Sequence, residues 1–168
     1  MSDEGAVVVL IGAPGAGKTR TGKRLARLLG VPFIDTDKRI VAAHGPIATI
    51  FEDHGEPHFR SIERETVAEA LRERAVVTLG GGAVLDPRTQ ADLAEKRVVQ
   101  LTVSAAAVEK RIATGKRPLL KDGIDAWTAI VTARQPIYAR LSQLSVDTSR
   151  QPLDRVAQRI VNWLEKQD

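Results

Sequence analysis

The chain has 168 residues, a length that fits one domain with a sizeable buried core. Its 43% hydrophobic content is ordinary for a globular protein, no apolar run approaches the roughly 18–20 residues that cross a bilayer, and its acidic start, MSDEG, lacks the basic and apolar regions of a secretory signal. It has no cysteine, which excludes disulfides and thiolate metal sites, and its net charge of +4 comes from Lys and Arg scattered without a basic block or interleaved aromatics, which argues against nucleic acid. We therefore expect no membrane or nucleic-acid partner, a cytoplasmic setting and small anionic ligands; a monomer is also expected, though nothing in the composition bears on oligomeric state.

Along the chain, AVVVLIG (6–12) is a continuous apolar run ending at Gly, the mark of a strand buried on both faces, and KTRTGKRLARLLG (18–30) has helical spacing that stops at Gly30. VPFID (31–35), AVVTLGGG (75–82), RVVQLTV (97–103) and LSVDT (144–148) read as four more strands. Helical patterns lie around 37–54, 57–74, 87–95, 104–114, 124–141 and 153–166, so strands and helices alternate, which predicts an α/β fold with a five-stranded parallel sheet. Only ATGKRPLLKDGID (113–125) fits neither period; Gly115, Pro118 and Gly123 flank basic residues there, and we read it as a mobile loop acting as a lid. His44, His54 and His58 lack metal-ligand spacing with a partner carboxylate and read as surface or helix-packing residues, as Trp127 and Trp163 read as packing residues.

Gly12-Ala13-Pro14-Gly15-Ala16-Gly17-Lys18-Thr19 matches G-x-x-x-x-G-K-[ST] and stands where that pattern requires, after a strand and before a helix. The glycines let the backbone wrap so that successive N–H groups face a polyphosphate. Lys18 then reaches the β- and γ-phosphates, Thr19 ligates Mg²⁺, and the helix beginning here aims its N-terminal dipole at the anion. The expected ligand is a nucleoside triphosphate held by Gly12, Gly15, Ala16, Gly17, Lys18 and Thr19. The motif is silent about the acceptor. FIDTD ends the second strand, and ligands gather at the carboxyl ends of parallel strands, which places Asp35 and Asp37 beside the loop. One carboxylate suits a Mg²⁺-bound water and the other the proton of an attacking hydroxyl. The plainer alternative makes Asp37 a cap for a helix starting at Lys38.

GAPGAGKT, DTD, GEPHFRSIE, LGGGAV, KRPLL and ARQPIYARL follow in this order, with compatible spacing, from about Val7 to the C-terminal helix. With them the chain resembles the shikimate kinases, P-loop enzymes of the nucleoside-monophosphate-kinase-like group. The resemblance implies a single-domain P-loop three-layer α/β/α fold over 1–168, with a lid at about 113–125 and an acceptor-binding helical region at about 37–63. It also implies transfer of the ATP γ-phosphoryl group to the 3-hydroxyl of shikimate, with one Mg²⁺ per active site, on the chorismate pathway towards aromatic amino acids.

Carried over by matching motif, the likeness makes Asp37 the partner of the substrate's hydroxyls and Asp35 the aid to Mg²⁺ beside Thr19. Arg60 and Arg134 match the arginines that clamp the substrate carboxylate, a pairing that suits a planar guanidinium. Glu63 lies one turn from Arg60 and can hold it in place. Gly80, Gly81 and Gly82 let the backbone approach the substrate. Arg117 matches a lid arginine that reaches the ATP phosphates on closure and steadies charge as phosphate transfers. DTSRQP (147–152) resembles the adenine-side loop, where Arg150 or Gln151 flanks the base. Adenylate kinase shares GAPGAGK, but Thr19-Arg20 stands where that family expects Gly-Thr and no DGFPR-like segment follows. Gluconate kinase fails on a missing His-Pro and Asn-Lys-Met signature, and a nucleotide-binding regulator without catalysis leaves Asp37, Arg60, Arg117 and Arg134 unexplained.

Overall fold

The structure, a computed structural model, describes residues 4–114 and 123–167, without the side chains of 112–114. Most of the expected lid, including Arg117, lies outside the described residues. Strand β1 (Val8–Gly12) leads through the glycine-rich turn into α1 (Lys18–Leu29), and β2 (Phe33–Asp35) into α2 (Thr36–His44), α3 (Ile47–His54) and α4 (Glu56–Ala70). β3 (Val76–Thr78) runs through a 3-10 turn, Ala83–Leu85, to α5 (Pro87–Leu93), and β4 (Val98–Thr102) leads to α6 (Ala105–Thr114). Helix α7 (Gly123–Leu141), β5 (Leu144–Asp147) and α8 (Leu153–Gln167) complete the series.

All four strand pairings are parallel, in the order β2-β3-β1-β4-β5. The apolar run of β1 explains its central place: Val8, Val9, Leu10 and Ile11 are all buried, as a strand with helices on both faces must be. On one face, Leu25 of α1 and Val156 and Ile160 of α8 pack against Leu10 and Val99. On the other, Val67 of α4, Leu93 of α5 and Tyr138 of α7 pack against Val9 and Val77. The three-layer α/β/α fold with five parallel strands is thus the one expected. Because β3 and β4 leave β1 on opposite sides, the turn after β1 lies where strand order reverses, the usual seat of a ligand in such sheets.

One expected element differs. The pattern over 37–54 reads as a single helix, but α2 stops and α3 begins anew, because Gly45 takes a φ of 87° and Pro46, which has no N–H to continue the ladder, opens the second helix. The break lets α2, α3 and α4 fold around a small core of their own, with Ile40, Ile50 and Phe59 buried between them. Trp163 packs against the core beneath α8, as expected. The three histidines are exposed, and the His54 and His58 rings lie 4.6 Å apart. Among the described residues no helix is long and apolar enough to cross a membrane.

Candidate active site

The turn after β1 holds its shape through glycine. Gly12, Gly15 and Gly17 have φ of 143°, 87° and 85°, values that side chains rarely allow. A Cβ at Gly12 would meet the Leu101 carbonyl oxygen of β4 at 2.2 Å, so this first glycine serves the sheet as much as the loop. Helix α1 follows Gly17 at its N-cap, without a capping side chain and without an acidic residue in its first turn. Its open N–H groups and dipole therefore favour an anion. Lys18 Nζ donates to the carbonyls of Gly12 (2.6 Å) and Ala13 (3.1 Å), which holds its charge over the concave side of the loop.

Asp35 and Asp37 follow at the end of β2, two strands away. The capping role falls to Asp35, not Asp37: Asp35 Oδ1 accepts the Lys38 N–H at 3.2 Å, and its Oδ2 accepts the Thr19 hydroxyl at 3.0 Å. One carboxylate thus ties the second strand to the phosphate loop. Asp37, freed from capping, points into the cavity. Burial pushes its pKa up, the neighbouring negative charge of Asp35 adds to this, and Lys18 and Arg60 pull the other way.

A cavity of about 520 Å³ joins the two regions, and Gly15, Gly17, Lys18, Thr19, Asp35, Asp37, Arg60, Glu63, the three glycines after β3 and Arg134 all line it. Arg60 Nη1 donates to Glu63 Oε1 at 2.8 Å, one turn along α4, and its guanidinium also meets Glu56 at 3.4 Å. Burial works against the Arg60 charge, but these two carboxylates outweigh it and raise its pKa. Glu63 is itself buried, and that burial, with repulsion from Asp37, lifts its pKa despite the hydrogen bond from Arg60 and the charge of Arg134.

Each glycine after β3 faces a different one of these groups. A Cβ at Gly80 would lie 2.6 Å from an Asp37 oxygen, at Gly81 3.2 Å from Arg134 Nη1, and at Gly82 2.7 Å from the Arg60 guanidinium. The triplet makes room for the site's own charged side chains, besides any approach to a ligand. Tyr138, one turn after Arg134 on α7, fixes this loop by donating its hydroxyl to the Gly81 carbonyl at 2.6 Å.

Sequence reasoning missed an apolar wall made by Ile47, Phe51 and Phe59 on the same cavity, with the two phenylalanine rings 5.0 Å apart. The i, i+4 spacing of Ile47 and Phe51 was its signal, hidden by reading 37–54 as one helix. A second cavity of about 280 Å³ on the other flank of the loop is lined by Gly15, Ala16, Gly17, Arg111, Thr148 and Gln151, among others. Gln151 faces it, whereas Arg150 is exposed and does not line it. Trp127 is buried, but not only as packing: its indole N–H donates to the Pro14 carbonyl at 2.8 Å. Among the described residues no group of three or more His, Cys, Asp or Glu could hold a metal ion.

Comparison with known proteins identifies the family. A family model described as shikimate kinase matches residues 14–165. A shikimate kinase of Thermobifida fusca is 46% identical over 162 residues, 94% of each chain, and one of Frankia casuarinae is 47% identical over 154 residues, covering 89% of this chain and 68% of that one. The solved shikimate kinase of Acinetobacter baumannii, in complex with shikimate, superposes with a TM-score of 0.88 at 29% identity, over 98% of this chain and 95% of that one. A match of this extent, on a sheet and cavity that gather residues from five of the six motifs, with KRPLL outside the described residues, makes the chain a member of the shikimate kinase family.

Proposed function

We propose that this chain transfers the γ-phosphoryl group of ATP to the 3-hydroxyl of shikimate, and that the cavity joining the phosphate loop to Asp37, Arg60 and Arg134 is where it does so. The observation that carries this reading is the meeting, in one cavity, of a polyphosphate loop with a carboxylate and two guanidiniums drawn from three other parts of the chain. ATP phosphates lie along Gly12–Thr19, with Lys18 balancing charge on the β- and γ-phosphates. Gln151 borders the nucleotide's base.

Arg60 and Arg134 grip the acceptor's carboxylate, and Glu63 keeps Arg60 at the required angle. The apolar wall of Ile47, Phe51 and Phe59 covers the acceptor's ring and limits water. Held so, the acceptor presents its hydroxyl to Asp37. The hydroxyl oxygen bonds to the γ-phosphorus as the bond from that phosphorus to the β,γ-bridging oxygen breaks. ADP leaves with that oxygen's electrons, and the hydroxyl proton passes to the Asp37 carboxylate. The raised pKa of Asp37 makes it a better proton acceptor than an ordinary carboxylate.

A hydroxyl beside a carboxylate oxygen, Thr19 and Asp35, fits Mg²⁺, which prefers hard oxygen donors and keeps phosphate and water among its ligands. The ion, when bound, neutralises charge on the β- and γ-phosphate oxygens. To Arg117 we give, on family likeness alone, stabilisation of the transferring phosphate. We place the reaction in the cytoplasm, in a single-domain monomer whose partners are these small molecules, with 37–63 as the acceptor-binding region and 113–125 as a lid.

A coupled assay of ADP release with shikimate, AMP and gluconate as acceptors tests the reading. Shikimate alone should support turnover; release driven by AMP or gluconate, or none with shikimate, contradicts it.

A further inference from the structure

Three successive carbonyls of the phosphate loop are each held by a side chain from elsewhere in the fold. Trp127 Nε1 on α7 donates to Pro14 O at 2.8 Å, Arg111 Nη1 on α6 to Gly15 O at 2.5 Å, and Thr148 Oγ1, just past β5, to Ala16 O at 2.8 Å. The peptide unit is planar and, in the described residues, always trans, so its C=O and its N–H point in opposite directions. Fixing the Pro14 carbonyl therefore sets the direction of the Gly15 N–H. Fixing the Ala16 carbonyl sets that of the Gly17 N–H in the same way. The middle contact differs, because the Ala16 N–H is already engaged with the Ala13 carbonyl at 3.2 Å inside the turn.

The loop needs outside help here. Pro14 has no N–H, and Gly15 and Gly17, with φ of 87° and 85°, are residues whose backbone turns freely when nothing restrains it. Both restraining side chains are rigidly seated. The Trp127 ring is buried against Ala13 of the loop and Val108 of α6, and Thr148 is buried with its hydroxyl shared between Ala16 O and the Thr102 carbonyl at 3.0 Å.

We propose that Trp127 and Thr148 are positioning residues for nucleotide binding, which aim the Gly15 and Gly17 N–H groups at the phosphates before the nucleotide arrives. The inference rests on the phosphate-loop reading above. Neither residue touches the reacting atoms; each acts through the peptide unit that it holds. The cost of losing one should therefore fall on phosphate affinity and leave the acceptor side alone.

Trp127→Phe keeps the buried ring and removes the donor, and Thr148→Val keeps the shape and removes the hydroxyl. Calorimetry should show ADP binding weakened about threefold to tenfold in each, the range of one lost hydrogen bond, with the KM for shikimate close to the parent's. Unchanged ADP affinity in folded variants, or parallel losses for both ligands, overturns the proposal. In case a variant fails to fold, Trp163→Phe leaves Trp127 as the single indole, whose N–H resonance should move on addition of ADP and stay put on addition of shikimate. A resonance indifferent to ADP that the protein demonstrably binds overturns the proposal. A parent protein that binds no ADP sinks the phosphate-loop reading itself, a distinct result.

Discussion

The phosphate loop and the acceptor cavity share one opening but are built in opposite ways. The loop is a single run, Gly12–Thr19, whose working groups are mostly backbone N–H, so its chemistry follows from where glycine permits unusual φ. The acceptor side has no run of its own: Asp37 comes from the start of α2, Arg60 and Glu63 from α4, Arg134 from α7, and the three glycines between them from the turn after β3. A backbone site can be written locally, whereas a side-chain site exists only after the sheet has brought distant segments together. The two halves should therefore fail differently when residues are changed.

The largest effect is expected on the loop side. Lys18→Ala removes charge from the transferring phosphate and should lower kcat about 10³-fold, the upper range for one lost stabilising donor, with thermal stability and shikimate affinity near normal. A collapse of stability equal to the loss of activity would mean that Lys18 serves the loop's fold through the Gly12 and Ala13 carbonyls instead.

On the acceptor side, Arg60→Ala and Arg134→Ala should each raise the KM for shikimate and cut kcat/KM more than tenfold, since losing one member of a desolvated charged pair costs about 2–5 kcal/mol, while ATP binding stays close to the parent's. A fall in ATP affinity with unchanged shikimate kinetics would remove them from the carboxylate clamp. The comparison sharpens at the glycines. Gly80→Ala forces the Asp37 carboxylate aside and should lower kcat about tenfold, less than the roughly 10²-fold that a 1 Å misplacement can cost, and Gly81→Ala, which meets Arg134 at 3.2 Å, should cost less still. Equal losses from the two would show that the triplet serves the ligand alone.

How much of this was legible varied with the same division. The five strands and the phosphate loop could be read from contiguous residues, because a buried parallel strand is a plain apolar run and the loop motif is unbroken. Asp35 and Asp37 were legible as a pair at a strand end, but not which of them caps α2: both are good caps, and the start of the helix at Thr36, which leaves Asp35 at its end and Asp37 within its first turn, decides it. Gly45-Pro46 carried a break signal that helical spacing on either side obscured. The same misreading hid the apolar wall, whose signal was the i, i+4 spacing of Ile47 and Phe51, whereas the second roles of Trp127 and Thr148 depend on contacts across more than a hundred positions, and no local pattern carries those.

The smallest expected effect is on stability, and its sign distinguishes a site held for chemistry from one held for packing. Asp37 has a folded-state pKa above its ordinary 3.8, so the unfolded chain gives up this proton first as pH rises. Folded stability therefore declines from about pH 3.8 upward, until the folded group is itself ionised. Asp37→Asn removes that penalty. Thermal melts should show the variant modestly more stable than the parent at pH 7, with the difference fading as pH falls towards 3.8. A variant less stable at neutral pH would show that the Asp37 charge holds the fold together.

The most direct test of the account follows the same substitution through the chemistry. Asn keeps the size and one oxygen of Asp37 while removing its basicity, so single-turnover phosphoryl transfer by Asp37→Asn, with shikimate binding confirmed by calorimetry, isolates the carboxylate's part. We expect transfer to slow by at least about 100-fold with shikimate still bound, the lower range for a general base. A loss below about fivefold, well short of that range, would contradict the central place given to Asp37.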